Sequence, residues 1–379
     1  MKNYEVAIIG GGINGCAIAY ELANKGTKVI VLEKEYLASG ATGRCGGGIR
    51  QQWATKENIK LAHESVKIFE KLSKELGYDI EYEQGGYLVL AHSRKELETF
   101  EENVKLQRSL GLKVRVLGRS EIADIVPFID VEGARAVGAT YCATDGHANP
   151  FKTTYGYAKK AKELGACFKT FTEVKKIEKE KDNFKLITTN DRIRAEKVVN
   201  AAGEYSPSIA KSLGLKIPIT PYRHEILATE PLEPILKPMI ISFTDGIYFC
   251  QHKTGQIVGG IGNPSEKPGI NLTSSLEFIK RMASVITRYI PTFKHLCVLR
   301  QWAGHYDVTP DARPILGEPE KIKNFINVCG FSGHGFMLAP AVAKHISELI
   351  LYNKISDLIK ELSLERFKGK VLKERAVVG

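Results

Sequence analysis

The stretch "YEVAIIGGGINGCAIAYELANKGTKVIVLEK", residues 4–34, begins with a short apolar run that is typical of a buried strand. The run leads into Gly10, Gly12 and Gly15, which are spaced as GxGxxG, and then into a helical pattern that Gly26 ends. A second apolar strand follows and closes with Glu33, 18 residues beyond Gly15. This order of strand, glycine turn, helix, strand and acidic residue predicts a Rossmann-like unit that binds a dinucleotide.

Each residue of this motif has a physical role in such a unit. Gly10 permits the tight turn, Gly12 lets the backbone approach a pyrophosphate, and Gly15 lets the helix pack closely on the strand. The first N–H groups of the helix and its dipole favour the negative charge of the pyrophosphate. Glu33 is placed to accept hydrogen bonds from ribose hydroxyls. The unit alone does not distinguish FAD from NAD.

The bulk composition describes an ordinary globular chain with enough length for two domains. It has 379 residues, a formal net charge of +11, and basic residues scattered among acids rather than in one block. This scatter favours a solvated surface over a nucleic-acid partner. No apolar run reaches the roughly 20 residues of a membrane span, and a strand starts almost at once, so we expect no signal peptide.

The cysteines support a cytoplasmic location. Seven is an odd number, and no CxxC pair or other spacing typical of a metal site occurs among them. We therefore expect reduced thiols, no bound metal and a cytoplasmic chain.

The middle of the chain contains a second group of elements. We predict a helix from Pro150 to Leu164, a strand through Phe171 and Val174, and a hairpin-like pair made by "KKIEKE" and "FKLITT". The segment "VVNAAGEYS" then has the pattern of a buried strand, a turn of small residues and a short helix.

This order resembles the FAD-binding domain of the D-amino-acid-oxidase-like FAD-dependent oxidoreductases. "RQWAGHYDVTPDARPILGE" (300–318) and "NFINVCGFSGHGFMLAPAVAKHISELI" (324–350) are similar to closing segments of that family. The resemblance covers nearly the whole chain and implies bound FAD. The motifs and the resemblance together assign these residues to the cofactor: Gly10, Gly12, Ile13, Asn14, Gly15, Glu33, Lys34, Thr42, Arg44, Cys45, Gly47, Val174, Ala201, Gly203, Gly330, Gly333, His334, Gly335 and Met337.

Within the family, "ATGRCGGGIRQQW" and "GFSGHGFM" most resemble the β subunits of heteromeric sarcosine oxidases and dye-linked L-proline dehydrogenases. Such proteins move a hydride from the α-carbon of an amino acid to flavin N5. The resemblance implies that Arg50 binds the substrate carboxylate, for which a guanidinium is well suited. It also makes His224, Tyr248 and His334 candidate catalytic residues. Simpler alternatives stay open: a surface ion pair for Arg44 or Arg50, and packing within a sheet for His224 and Tyr248.

Several positions depart from the patterns of related oxidases. Gly304 stands where monomeric sarcosine oxidases attach flavin through a cysteine, so we expect non-covalent FAD. Met337 replaces a lysine, and Ile257 matches the oxygen-activating lysine, which favours a dehydrogenase. Asn149 or Pro150 matches the histidine that tethers FMN in heterotetrameric sarcosine oxidases. A second flavin, if present, would be a non-covalent FMN shared with a partner subunit.

The expected fold is α/β (α+β overall), with a Rossmann-like FAD-binding domain and a discontinuous mixed-sheet substrate domain. We assign 1–80, 145–215 and 305–379 to the FAD-binding domain, and 81–144 and 216–304 to the substrate-binding domain. We expect helices at about 95–110 and 274–289, and we interpret Trp302 and Tyr306 as packing residues.

The resulting hypothesis is an L-proline dehydrogenase catalytic (β) subunit that works with an α subunit and an electron acceptor in a hetero-oligomer. A sarcosine or glycine oxidase that uses O₂ is the alternative within enzymes of this kind. A flavoprotein that acts on modified tRNA bases is an alternative of another class.

Overall fold

The computed structural model describes residues 2–369 and 372–376, whose strands form two large sheets and one small pair. The strands are β1 (Lys2–Ile9), β2 (Val29–Leu32), β3 (Gly48–Ile49), β4 (Tyr87–Ala91), β5 (Val114–Leu117), β6 (Gly138–Cys142), β7 (Gly146–His147), β8 (Cys167–Lys169), β9 (Val174–Lys179), β10 (Phe184–Thr188), β11 (Arg192–Asn200), β12 (Thr220–Pro231), β13 (Met239–Ser242), β14 (Ile247–Gln251), β15 (Gln256–Ile261), β16 (Val298–Val308), β17 (Ile315–Gly317) and β18 (Phe325–Cys329). The α-helices are α1 (Ile13–Ala23), α2 (Lys56–Leu76), α3 (Arg94–Ser109), α4 (Arg119–Ile125), α5 (Pro150–Glu163), α6 (Ser206–Lys211), α7 (Leu276–Tyr289), α8 (Gly335–Tyr352) and α9 (Asp357–Glu361).

The first sheet has the strand order β17-β18-β11-β1-β2-β8, with β10 on β11 and β9 on β10. β1 lies parallel to both β2 and β11, and β11 lies parallel to β18. β17 and the β9–β10 pair run antiparallel to their neighbours. All four residues of β2 are buried, as expected for a strand inside a parallel sheet, which explains why β2 consists of four consecutive apolar residues.

The turn between β1 and α1 brings two backbones into close contact. Gly10 has φ +110°, and a Cβ placed there would lie 2.3 Å from the carbonyl oxygen of Ala201. A Cβ at Gly15 would lie 2.0 Å from the carbonyl oxygen of Gly10. Only glycine fits either position, so the predicted roles of turn and close packing have a direct steric cause.

The second sheet has the order β16-β12-β15-β14-β13-β4-β6-β5. β4 and β13 pair in parallel, whereas the other neighbours pair antiparallel, so the sheet is mixed. Its strands come from two separate parts of the chain, between residues 87 and 142 and between residues 220 and 308. The mixed α/β fold class is confirmed. The proposed domain boundaries stay a prediction, and β16 crosses the one placed at 304.

Two layers of helices cover the sheets. α1 packs against α5 and α8, and α2 packs against α8. This layer buries large side chains such as Trp53 and Phe69. α7 covers the second sheet, where Met282 and Tyr289 pack against Phe249.

Most predicted elements form within two residues of their expected bounds: α3, α5 and α7 do so, and β9 pairs antiparallel with β10. One expectation is wrong, because Phe171 does not lie in a strand. It is 68% exposed, with φ +51°, in the turn between β8 and β9. The chain must turn there because β8 pairs with β2 while β9 pairs with β10.

All seven cysteines lie within the described residues and are free thiols, as expected from the sequence. Among the residues with described positions, no helix combines the length and apolar character needed to cross a bilayer.

Candidate active site

A cavity of about 490 Å³ lies at the carboxyl ends of β1, β2 and β11. In α/β sheets, ligands bind at this end of the strands. The cavity, termed the large cleft below, is lined by fourteen of the residues predicted for the cofactor: Gly10, Gly12, Ile13, Asn14, Glu33, Lys34, Thr42, Arg44, Cys45, Val174, Ala201, Gly203, Gly333 and Gly335.

The start of α1 forms one wall of the large cleft. The N–H of Ile13 donates to Oγ1 of Thr42 at 3.1 Å, which joins the helix to the loop that follows β2. The amide nitrogen of Asn14 donates to the carbonyl of Gly335 at 3.3 Å, whereas its Oδ1 atom is buried with no partner among the described residues. The unpartnered acceptor needs a donor, which a hydroxyl group of a bound dinucleotide could supply, and the helix N-terminus beside it favours the negative charge of the pyrophosphate.

Glu33 is buried at the end of β2, and both carboxylate oxygens have donors. Oε2 accepts from the N–H of Gly11 at 2.7 Å, and Oε1 accepts from the N–H of Glu35 at 2.8 Å. These contacts hold the carboxylate at the edge of the cleft, where ribose hydroxyls could donate to its remaining lone pairs. The adenosine end of FAD therefore fits the residues present.

Arg44 faces the large cleft. Its Nε donates to the carbonyl of Ser39 and its Nη1 to the carbonyl of Ala303, both at 3.0 Å. Its own carbonyl accepts from Nε1 of Trp302 at 3.1 Å. The side chain thus joins the loop after β2 to strand β16, with no surface ion pair among the described residues.

A second cavity, of about 60 Å³, adjoins the large cleft and is termed the small cavity below. Five residues line both cavities: Cys45, Tyr248, Tyr306, Gly333 and Phe336. Arg50, Tyr87, Met239 and Ile241 line the small cavity alone. The side-chain mixture of one cation, aromatic rings and apolar groups is typical of a small-molecule site.

Arg50 is only 2% exposed. Its Nη1 donates to the carbonyl of Gln52 at 3.0 Å, and its Nη2 donates to the carbonyl of Ala376 at 2.7 Å. The guanidinium carbon lies 4.0 Å from the centre of the Trp53 ring. No described acid forms an ion pair with it, and burial lowers its pKa.

The loop that carries Arg50 is held by Asp145, which sequence reasoning missed. Its carboxylate accepts from the backbone N–H of Gln51 at 2.9 Å and from the side-chain amides of Gln51 and Gln52 at 3.0 Å each. Burial raises the pKa of Asp145 to about 6, although these hydrogen bonds oppose the rise. Asp145 lies 95 residues from Arg50, and neither residue type nor spacing signals the contact.

His224 lines the large cleft between two tyrosine rings. Its imidazole stacks on Tyr306 with ring centres 4.5 Å apart and on Tyr248 at 5.5 Å. Burial lowers its pKa to about 4, with a smaller contribution from Arg281, so the ring is neutral at pH 7.

His334 lines the small cavity, and its Nδ1–H donates to the carbonyl of Phe331 at 3.1 Å. The ring meets Trp53 edge-on at 4.4 Å. Burial, with a contribution from the Arg50 charge, lowers the pKa of His334 to about 3. The structure thus brings Arg50, Tyr248 and His334 together around the small cavity, while His224 lies beside Tyr248 in the cleft.

Five residues predicted for the cofactor do not line the large cleft. Gly15 faces the Gly10 carbonyl, and the N–H of Gly330 donates to Oδ2 of Asp307 at 2.7 Å. Gly47, His334 and Met337 line the small cavity instead, because the loop before β3 and the start of α8 enclose it.

Two further interpretations need correction. Tyr306 lines both cavities rather than serving only in packing. Ile257 is buried in the core beneath the second sheet, on the opposite face from Gly260, where a Cβ would lie 2.8 Å from Nε2 of His224. Side chains alternate along a strand, so Val258 rather than Ile257 faces the cavity side. Ile257 therefore carries no information about oxygen reactivity.

Comparison with known proteins agrees with this geometry. Residues 5–349 match the family model described as "FAD dependent oxidoreductase". The chain is 31% identical to the sarcosine oxidase subunit beta of an Arthrobacter species, over 97% of this chain and 92% of that protein. It is 26% identical to glycine oxidase of Geobacillus kaustophilus, over 97% of this chain and 98% of that protein.

Among solved structures, L-proline dehydrogenase from P. horikoshii superimposes with a TM-score of 0.93 and 38% identity, covering 98% of this chain and 100% of that one. The dinucleotide cleft, the buried cation beside it and these matches lead to one conclusion. The chain belongs to the D-amino-acid-oxidase-like (DAO) family of FAD-dependent oxidoreductases.

Proposed function

We propose that this chain oxidises a small secondary amino acid, with L-proline as the first candidate, and holds the substrate carboxylate on Arg50. One observation carries the proposal. Arg50 is a buried guanidinium without an acidic partner in the described chain, and it lines a small cavity that adjoins the predicted flavin site. A buried cation of this kind is costly unless an anion joins it.

The hydrogen-bonding capacity of Arg50 supports a carboxylate ligand. A guanidinium has five N–H donors, and the carbonyls of Gln52 and Ala376 use two of them. The remaining donors suit the planar, two-oxygen geometry of a carboxylate. Because the two holding groups are neutral carbonyls, the positive charge stays available for the substrate.

The size and lining of the small cavity favour a small substrate. Its volume is about 60 Å³, and Met239 and Ile241 give it an apolar side. Because the small cavity adjoins the large cleft, an amino acid with a short side chain or a compact ring could place its carboxylate end in the cavity and its remainder towards the cleft, whereas a long polar side chain would lose its hydration there.

When bound, FAD supplies the two-electron acceptor for the hydrogen on the substrate α-carbon. The residues of this chain orient the reaction. Arg50 anchors the carboxylate, and Tyr248 and Tyr306 at the junction of the two cavities exclude water and direct the α-carbon towards the large cleft. A substrate nitrogen must carry a free lone pair for hydride loss. His224, with its pKa near 4, is too weak a base to hold that proton at neutral pH, so we assign it to shaping the site.

The choice of substrate class agrees with the relatives' names. Sarcosine and L-proline are both secondary amino acids, and the chain resembles proteins named for each. A sarcosine or glycine oxidase is the second candidate, because the chain also resembles glycine oxidase over nearly its whole length.

Anaerobic reduction of the bound flavin tests the substrate. We expect L-proline to bleach the visible flavin band faster than sarcosine or glycine does. L-Prolinamide, which lacks the carboxylate charge, should bleach it far more slowly than L-proline. A faster reaction with sarcosine or glycine would favour the second candidate, and no reaction with any amino acid would contradict the proposal. Rapid peroxide formation in air would identify an oxidase, whereas reduction of an added dye without peroxide would identify a dehydrogenase.

We also propose that the chain works as a β subunit with an α subunit, and that a second, non-covalent FMN is shared between them. The similarity to a protein named as a sarcosine oxidase β subunit supports the assembly. Purification of the complex from its native source, followed by acid extraction of flavins, tests both points. Equal amounts of FAD and FMN are expected, and FAD alone would contradict the second flavin.

A further inference from the structure

A carboxylate near the end of the described chain is completely enclosed. Glu374 is 0% exposed, and each of its carboxylate oxygens accepts three hydrogen bonds. Oε1 accepts from the N–H groups of Ala54, Arg375 and Ala376 at 3.0, 3.0 and 2.9 Å. Oε2 accepts from the N–H and hydroxyl of Thr55 at 3.0 and 2.6 Å, and from the Asn58 amide at 3.2 Å.

This carboxylate lies at the N-terminus of α2, for which Thr55 is the N-cap residue. No described cation forms an ion pair with Glu374. Its charge is instead stabilised by peptide N–H groups and by the positive end of a 21-residue helix. Two of the donors belong to residues 375 and 376 themselves, so the carboxylate also folds the end of the segment around it.

That fold brings the segment to Arg50. The carbonyl of Ala376 accepts from Nη2 of Arg50 at 2.7 Å, opposite the Gln52 carbonyl on Nη1. With Trp53 beneath the guanidinium, these contacts restrict its position on three sides. The anchoring negative charge is on Glu374, while the atom that touches Arg50 is a neutral carbonyl. The segment therefore orients the cation through a neutral carbonyl, while the Glu374 charge acts on it from a distance and raises the Arg50 pKa against the effect of burial.

We propose that residues 372–376 form a strap that positions Arg50 for the substrate carboxylate, with Glu374 as the positioning residue. The proposal rests on the proposed function, in which Arg50 is the carboxylate receptor. The strap acts on binding of the amino acid rather than on the hydrogen-transfer step, because the carboxylate contact is the same in the bound substrate and in the transition state.

Glu374→Gln tests the strap with almost no change in shape. A glutamine has one acceptor oxygen, so three of the six donors lose their acceptor whichever way the amide faces. Acetate is the probe, and its dissociation constant is read from the change in the visible spectrum of the bound flavin. We expect acetate binding to weaken about tenfold, the effect of one charge-assisted hydrogen bond. We expect KM for the amino acid to rise by a similar factor, with kcat changed less than about twofold.

Two reference variants interpret the result. Glu361→Gln makes the same chemical change at an exposed carboxylate in α9 and should leave acetate binding as in the wild type. Arg50→Met should weaken acetate at least as much as Glu374→Gln does. If Arg50→Met weakens acetate binding but Glu374→Gln does not, the proposed role of the strap is wrong and the proposed function stands. If Arg50→Met has no effect, the proposed function fails and the strap fails with it.

A structural role for Glu374 is separated from a positioning role by the FAD content and the melting temperature. Should Glu374→Gln not yield folded protein, deletion of residues 372–379 replaces it and should weaken acetate to a similar extent. If both variants lose FAD, the segment serves folding rather than Arg50, and the proposal is overturned.

Discussion

The large cleft and the small cavity stabilise the negative charge of a ligand in different ways. The cleft surrounds its ligand with backbone, through the glycine turn at residues 10–15, the first amides of α1 and a carboxylate, Glu33, that is itself held by amides. The small cavity relies on one side chain, the buried guanidinium of Arg50. In the cleft, many weak donors together stabilise the negative charge of the ligand. In the small cavity, a single cation stabilises it.

This difference predicts two kinds of failure. A distributed backbone site tolerates the loss of one side chain but not a displacement of the chain that carries the amides. A site with one cation fails when that cation is lost.

Gly15→Ala is expected to have the largest effect, because the added Cβ would lie 2.0 Å from the Gly10 carbonyl and push α1 away from β1. The purified protein should contain less than about a tenth of the wild-type FAD, which corresponds to a loss of more than about 1.4 kcal/mol in binding. Flavin content per chain is the measurement. Gly118→Ala is the control, since a Cβ there has nothing closer than 4.0 Å. Normal FAD content in Gly15→Ala would contradict the backbone account of the cleft.

Arg50→Met should lose substrate binding while it keeps FAD. Removing one partner of a buried ionic contact costs about 3 kcal/mol, so we expect kcat/KM for the amino acid to fall at least about 100-fold. Steady-state kinetics on protein with full flavin content would measure this. Arg44→Met is the matched variant, because Arg44 faces the large cleft. Arg44→Met should weaken the binding of FAD by about 1 kcal/mol and leave KM for the amino acid nearly unchanged. A larger rise in KM for Arg44→Met than for Arg50→Met would contradict this difference between the large cleft and the small cavity.

His224→Phe should change the pH dependence of stability, since it keeps the stacked ring and removes its titration. Burial lowers the pKa of His224 from 6.5 to about 4. Between these values the unfolded chain binds more protons, so the contribution of His224 to the unfolding free energy falls as pH falls, by about 1.4 kcal/mol per pH unit. The wild type should lose this contribution as the pH falls from 6.5 to about 4, whereas the variant should not.

Denaturant unfolding at several pH values measures this difference. Asp145 and Asp307, whose pKa values burial raises to about 6 and about 7, give the opposite slope in both proteins and cancel in the comparison. Parallel pH profiles for wild type and variant would show that the imidazole is not held neutral by burial.

The cofactor side of the molecule could be predicted because its signals are local. Gly10, Gly12 and Glu33 lie within one β–α–β unit, and their spacing follows from the geometry of a strand, a turn and a helix. The resemblance extended this to the segments around Ala201 and Gly333, which also line the large cleft.

The surroundings of Arg50 could not be predicted in this way. Tyr87 and Met239 come from adjacent strands of the second sheet, and Ala376 meets Arg50 across 326 residues of sequence. Such contacts depend on how the sheets and the end of the chain pack, which neither periodicity nor motif spacing encodes. Burial also lowers the pKa of His224. Because His224 is buried between two tyrosines that the assembled fold brings together, this shift could not be predicted from the sequence.

The strand order of the first sheet has a consequence for synthesis of the protein. β18 pairs with β11 near the middle of that sheet, and α8, which follows it, contributes the carbonyl that holds Asn14 at the start of α1. A nascent chain on the ribosome therefore has its GxGxxG turn some 320 residues before it has the partner of that turn. We expect the chain to capture its flavin only after nearly all of it has left the exit tunnel.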